Sequence, residues 1–364
     1  MSYRLLRPLL FLAEPEQAHA WAIEALRRFE RFGSGGLHRA GALAPLLSTL
    51  RGGADTLPTE TPVELLGLRF PNRIGLAAGF DKDARCVDGL GALGFGFIEV
   101  GTVTPRPQGG QPKPRLFRVP AAEALINRMG FPNDGAARVA ERLMRRQYQG
   151  IVGVNLGKNT DTPLDRAVDD YVSGLETLHS VADYVAVNIS SPNTAGLREL
   201  QDAERLAPIL TALLESRERL EKRSNRRVPL LVKLSPDLSE MALSACSALI
   251  RSSGIDGVIA TNSTVSRQYV SGLPGANETG GLSGAPLRHL SLHVVRQLRQ
   301  RLGPQFPIIG VGGLCNAQAA IEMRVAGADL VQIYTALVYE GPRIVSDLRH
   351  ALAPPPAAPV ASGY

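Results

Sequence analysis

Eight short apolar runs, rich in β-branched residues and glycine, recur through the chain: Ile74–Gly79, Phe97–Val103, Ile151–Gly157, Tyr184–Ser190, Leu230–Ser235, Gly257–Asn262, Pro307–Gly313 and Leu330–Thr335. Between most of them lie stretches of helical periodicity, Asp134–Tyr148, Ala203–Lys222, Leu238–Ser252 and Leu287–Leu302. Strand-length runs alternating with helices imply parallel strands joined by crossover helices, and near-continuous apolar strands imply burial on both faces. Eight such units in about 260 residues match an α/β fold of the (β/α)8 TIM-barrel type, and the number excludes a doubly wound sheet. No internal repeat accompanies the alternation. The connections after the second and sixth strands are long enough to carry extra structure over the active face.

Three regions are expected: an N-terminal helical subdomain at 1–50, a barrel at 51–350 and a tail at 351–364. In the first, Ala18, Ala22, Ala25, Phe29 and Phe32 fall at helical spacing beside the lone Trp21, and Leu5, Leu6, Leu9 and Leu10 do so in a preceding segment. Two amphipathic helices followed by a Gly-rich joint at Gly33–Gly36 are predicted. They suit either a membrane surface or simple packing on the barrel. Ala351–Tyr364 is rich in Pro and Ala and is expected to be disordered.

The formal net charge of +6 alone speaks to nonspecific attraction and does not make a nucleic-acid binder. Its distribution says more. Arg4, Arg7, Arg27, Arg28, Arg31, Arg39 and Arg51 face only Glu14, Glu16, Glu24 and Glu30 in the first 51 residues, which points to an anionic surface. Arg7 and Pro8 interrupt the opening apolar stretch, so no bilayer span is expected, and neither is a secretory signal. Cys86, Cys246 and Cys315 lack metal-ligand spacing, and no metal site or disulfide framework is expected.

Active sites of such barrels form at the carboxyl ends of the strands. There the chain places Asp81 and Lys82, Thr102, Asn155 and Lys158, Asn188 through Asn193, Lys233, Thr261 to Ser263, Gly312 and Gly313, and Tyr334 and Thr335. A lysine buried at a barrel mouth needs a partner, so Lys82 and Lys233 predict an anionic or electron-rich ligand, or else ion pairs with Asp81 or Glu99. Asn127, Asn188, Asn193 and Asn262 each offer a donor and an acceptor, complementing the alternating edge of a pyrimidinedione. Gly280, Gly281 and Gly284, with Gly312 and Gly313, follow the sixth and seventh strands, where this fold holds phosphate. No GxGxxG fingerprint follows a first strand and no GxSxG elbow is present, so neither a Rossmann site nor a Ser-His-Asp hydrolase is indicated. None of the histidines, at 19, 38, 179, 289, 293 and 350, falls at a predicted strand end. On these residues two other classes stay open: a lyase forming a Schiff base on Lys233, and a module that only binds membrane surfaces.

The segments Ala77-Ala78-Gly79-Phe80-Asp81-Lys82, Gly101-Thr102-Val103-Thr104-Pro105, Ile126-Asn127-Arg128-Met129-Gly130-Phe131, Asn188-Ile189-Ser190-Ser191-Pro192-Asn193-Thr194, Gly280-Gly281-Leu282-Ser283-Gly284 and Gly310-Val311-Gly312-Gly313 resemble those of dihydroorotate dehydrogenases. The likeness runs from the N-terminal helices through the eighth strand. It implies oxidation of dihydroorotate to orotate, in pyrimidine biosynthesis, with FMN as cofactor. Ala78, Gly79, Phe80, Asp81, Lys82, Thr102, Asn155, Asn188, Lys233, Thr261, Gly284, Gly313, Tyr334 and Thr335 would surround the flavin. Lys82, Asn127, Arg128, Met129, Gly130, Phe131, Asn188, Asn193, Asn262 and Ser263 would surround the substrate. Phe80 stands where many relatives carry leucine, and Ser263 where threonine is also common.

Position 191 separates the classes of that family: soluble members carry a cysteine base, membrane-associated quinone-reducing members a serine. Ser191 therefore implies the quinone class, with Ser191 as base, ubiquinone or menaquinone as acceptor, and His19, Arg118 and Tyr334 near the quinone. The expected setting is a monomer held peripherally on the cytoplasmic face of the cell membrane.

Overall fold

The eight apolar runs form eight parallel strands that close on themselves. The computed structural model describes residues 3–31 and 62–353. In chain order the strands are β1 Val63–Leu65, β2 Leu68–Phe70, β3 Ile74–Leu76, β4 Phe97–Val103, β5 Leu116–Val119, β6 Ala124–Asn127, β7 Ile151–Leu156, β8 Tyr184–Asn188, β9 Leu230–Leu234, β10 Gly257–Ala260, β11 Gly281–Gly284, β12 Ile308–Val311 and β13 Leu330–Ile333. The barrel runs β3-β4-β7-β8-β9-β10-β12-β13 and back to β3. Most strands end one to three residues before the apolar run does, because the last residues of each run have already turned into the loops that build the site.

Side chains along a strand alternate between faces, and here the inward set changes character along the barrel axis. Phe97, Tyr184, Leu231, Ile259, Ile309 and Leu330 fill the lower interior as one apolar cluster. Two residues further along their strands stand Glu99, Lys233 and Gln332, all buried. A dry plug thus supports a polar layer. The β1–β2 hairpin, which the sequence pattern does not reveal, adds Phe70 to the plug, edge-on to Phe97 with ring centroids 5.3 Å apart. Outward residues such as Val100, Val154 and Val232 pack against the surrounding helices.

The helices are α1 Tyr3–Leu12, α2 Pro15–Arg31, α3 Val87–Gly91, α4 Ala136–Leu143, α5 Ala167–Leu178, α6 Ala203–Ser224, α7 Glu240–Ser253, α8 Arg288–Leu302, α9 Ala317–Val325, α10 Thr335–Glu340 and α11 Arg343–Leu352. Where periodicity predicts a helix over Asp134–Tyr148, α4 is shorter: Gly135, at φ 86°, delays its start. The helix α6 begins where expected because the Asp202 carboxylate accepts the Glu204 N–H, and it ends at Asn225 in the left-handed region. The long connections after β4 and β10 do carry structure: β5, β6 and β11 form a three-stranded antiparallel sheet across the mouth.

Both predicted N-terminal helices are present. Ile23 and Leu26 of α2 pack on the barrel core, while Ala22, Ala25 and Trp21 are exposed, so the alanine face points away from the barrel. On α1, Leu5, Leu9 and Leu12 are exposed, at 65%, 62% and 85%. The joint at Gly33–Gly36, the side chains of Phe29 and Phe32, and the tail beyond 353 lie outside the described residues, so the boundaries drawn at 50 and 51 do too. The helix α11 carries ordered structure past the boundary drawn at 350. No described helix is long and apolar enough to cross a membrane.

Candidate active site

Within the polar layer, Glu99 is the centre. Its fully buried carboxylate accepts from Asn155 Nδ2 at 2.8 Å, Tyr184 Oη at 3.0 Å and Gln332 Nε2 at 2.8 Å, and pairs with Lys233 Nζ at 3.2 Å. A buried carboxylate persists only when paired and hydrogen-bonded in this way. Lys233 is thus the ion-pair partner of Glu99, whereas a Schiff-base former needs a free amine. Asn155 also accepts from Thr102 Oγ1 at 2.6 Å and from Asn188 Nδ2 at 3.0 Å, so its amide lies in the floor and does not reach the cavity.

Above the floor opens a cavity. Most of the predicted residues line it: Ala78, Gly79, Lys82, Thr102, Asn188, Lys233, Thr261, Gly284, Gly313, Tyr334 and Thr335 of those expected around a flavin, Asn127, Met129, Gly130, Phe131, Asn193, Asn262 and Ser263 of those expected around a substrate, and Ser191, expected as the base. Asp81 does not. Its carboxylate accepts the N–H groups of Arg85 and Cys86, both at 2.8 Å, and so organises the turn into α3. Arg128 points outward to Glu278 at 2.7 Å, its guanidinium 4.4 Å from the Phe117 ring centre.

One end of the cavity suits a phosphate. Gly284 and Gly313 have φ of 101° and 74°, and a Cβ on either would lie 2.3 Å from backbone atoms of Glu123 or Arg288. Only glycine lets these two loops approach so closely. At the other end Asn193 Nδ2 donates to Asn127 Oδ1 at 3.0 Å, and Asn262 Nδ2 to Asn188 Oδ1 at 3.2 Å, so the four predicted asparagines converge as two pairs. Ser191, 5% exposed, accepts the Asn193 N–H at 3.3 Å. Lys82 donates to the Gly79 carbonyl at 2.7 Å. Burial pulls its pKa down to about 8.

The helix α2 roofs this cavity with Glu16 and His19. The Glu16 carboxylate accepts from Arg115 Nη2 at 2.7 Å and Nε at 3.1 Å, which holds its carboxyl below the usual range and ties the helix to the loop after β4. His19 stacks edge-on against Phe80, which in turn meets Tyr334 edge-on, with ring centroids 4.9 and 5.9 Å apart. Burial, then the charge of Lys82, pushes His19 down to about 3, so its imidazole is neutral at ordinary pH. Arg118 lies outside the cavity. It donates to the Leu10, Phe11 and Ala13 carbonyls at the end of α1, with its guanidinium 4.5 Å from the Phe11 ring centre.

Two buried oxygens, Gln332 Oε1 and Thr194 Oγ1, have no protein partner among the described residues. Gln332 lines the cavity, so its carbonyl offers an acceptor to a ligand N–H. That orphan, the glycine cradle and the Lys82 and Lys233 ammonium groups fit a phosphate-bearing flavin. Glu16, Arg115 and Gln332 are positions at the site that strand-end reasoning passes over, and Glu99 entered that reasoning only as a possible partner of Lys233. No described group of His, Cys, Asp and Glu side chains could hold a metal ion.

Comparison with known proteins agrees with this geometry. The model of the dihydroorotate dehydrogenase family matches residues 61–354. A dihydroorotate dehydrogenase (quinone) of Delftia acidovorans is 48% identical over 96% of this chain and 98% of its own length. That of Thiobacillus denitrificans is 48% identical over 97% of this chain and all of its own. Among solved structures, DHODH from Eimeria tenella in complex with ferulenol superposes with a TM-score of 0.82 at 35% identity, covering 93% of this chain and 90% of that one. A closed eight-stranded barrel, its polar mouth and these likenesses together establish that the chain belongs to the dihydroorotate dehydrogenase family.

Proposed function

We propose that this chain oxidises dihydroorotate to orotate in pyrimidine biosynthesis, holds FMN in the barrel mouth, and passes the electrons to a membrane quinone. The observation that carries this reading is the placing of Ser191 in one cavity with two asparagine pairs, above the Lys233–Glu99 floor. When bound, the flavin supplies the redox chemistry, taking a hydride equivalent from the substrate and giving up electrons to quinone. Every other task falls to side chains.

The Asn127–Asn193 and Asn188–Asn262 pairs present donors and acceptors to the pyrimidine edge, and Lys82 answers the substrate carboxylate. Ser191 Oγ takes the proton from carbon 5. A serine hydroxyl is a weak base, so it needs a dry setting and an outlet for the proton. The buried, unpartnered hydroxyl of Thr194, three residues on, supports a relay through Thr194, with or without a bridging water. Lys233, held by Glu99, lies where it would favour negative charge on the reduced cofactor. Gly284 and Gly313 leave room for the phosphate.

Exposed Leu5, Leu9, Leu12 and Trp21 support peripheral docking of α1 and α2 on the cytoplasmic face of the membrane, with His19, Arg118 and Tyr334 along the quinone's path. Single-turnover mixing with dihydroorotate tests the assignment. The wild-type chromophore, identified as FMN after denaturation, should be reduced rapidly. Ser191→Ala should keep it bound and slow that reduction at least about a hundredfold, the lower end of general-base effects. An unchanged rate in the variant would remove Ser191 from the role of base.

A further inference from the structure

We propose that Arg198 is a positioning residue that sets the Ser191 loop and the Asn262–Ser263 loop at a fixed separation, an inference that rests on the reading above. Arg198 does not line the cavity, yet its guanidinium touches the loops that do. Nε donates to the Ser190 carbonyl at 3.2 Å, Nη2 to the Ser263 carbonyl at 3.0 Å and Nη1 to Asp237 Oδ2 at 2.8 Å. Those acceptors follow β8, β10 and β9, so one planar group spans three neighbouring strand ends.

Each contact is placed to matter. A peptide unit is planar, so fixing the Ser190 oxygen fixes the plane from which the Ser191 backbone starts. Asp237 extends the clamp: it also accepts from Thr264 Oγ1 and, at 2.9 Å, from the Val265 N–H. The turn that carries Arg198, Leu197–Gln201, is itself pinned from behind, because buried Gln201 accepts the Ser235 N–H at 2.8 Å. No other side chain type does this work. A lysine ammonium is a point donor and cannot reach three acceptors in fixed directions, as the guanidinium fork does.

The test compares Arg198→Lys with Arg217→Lys in the holoenzyme. Arg217 is a more deeply buried arginine, its side chain 9% exposed against 24% for Arg198, paired with Asp256 at 2.5 Å at the opposite end of the barrel. Stopped-flow reduction of the bound flavin by dihydroorotate gives the maximal rate and half-saturation, and amide hydrogen exchange reports on segments 189–194 and 262–265. The expected result for Arg198→Lys is a maximal rate lowered roughly tenfold or more, since small misplacements of reacting groups are expensive. Half-saturation should shift less, and exchange should quicken in both segments. Arg217→Lys should lower the melting temperature and change neither. Asp237→Asn, which keeps an acceptor but loses the charge, should reproduce the Arg198 pattern in weaker form and serves if Arg198→Lys does not fold. Wild-type rate and exchange in the Arg198 or Asp237 variant, or equal losses in the Arg217 variant, would overturn the proposal. If the wild type itself does not oxidise dihydroorotate, the functional reading fails, while the exchange comparison needs no turnover and still decides the clamp.

Discussion

Lys82 is the residue at which pH should be felt most directly. Its ammonium faces the cavity, and burial brings its pKa from the ordinary 10.5 down to about 8. An anionic ligand binds the protonated form. Affinity for orotate should therefore be flat well below that pKa and fall as pH rises through it, by up to about tenfold per pH unit above it. Flavin absorbance titrated with orotate across this range is the measurement. Lys82→Met should bind more weakly and lose the slope. If the variant kept the slope, another group would be titrating. His19, beside it, cannot supply the effect, because its imidazole is already neutral throughout that range.

Helices α1 and α2 show how an element can be docked and still leave a face unused. Tyr3 Oη donates to the Val338 carbonyl at 2.6 Å and Arg7 to the Tyr339 carbonyl at 2.9 Å, which fastens α1 to α10. Glu16 and His19 fasten α2 over the cavity. Deleting both helices would strip the buried Arg115 of its carboxylate, so deletion confounds stability with access. Point changes on the outer face are cleaner. Leu5→Glu with Leu9→Glu alters two exposed positions and should leave the melting temperature nearly unchanged. If these leucines bury in lipid, losing both removes about 3 kcal/mol of interfacial binding, roughly a hundredfold in affinity for anionic vesicles. Vesicle flotation reads this, and turnover with a long-tailed quinone should slow while that with a short, water-soluble one persists. Unchanged flotation would assign these helices to barrel packing alone.

At the scale of the whole molecule, the barrel and most of its mouth could be read from the sequence because both obey a period. Eight apolar runs mark eight strands, and most of the polar residues at their ends line the cavity, from Lys82 to Thr335. What escaped had no such signal. Gln332 sits inside an apolar run, where only the inward alternation of the folded strands shows that it meets Glu99 and Tyr184, while Glu99 was legible only as one possible partner of a buried lysine. The converse also holds: Asp81 and Arg128 sit beside cavity residues in sequence, yet their side chains serve a turn and an outer ion pair. Arg115, Arg198 and the β1–β2 hairpin act through contacts between distant segments, which periodicity cannot report.

For the whole chain the central proposal is that it carries electrons from dihydroorotate to quinone, with Ser191 as the base. Orotate formation by the purified protein, followed with a quinone, fumarate and NAD as alternative acceptors under the same conditions, tests it most directly. Turnover with the quinone and none above background with fumarate or NAD is the predicted result. Turnover sustained by fumarate or NAD but not by quinone, or orotate formed with none of the three, would contradict it.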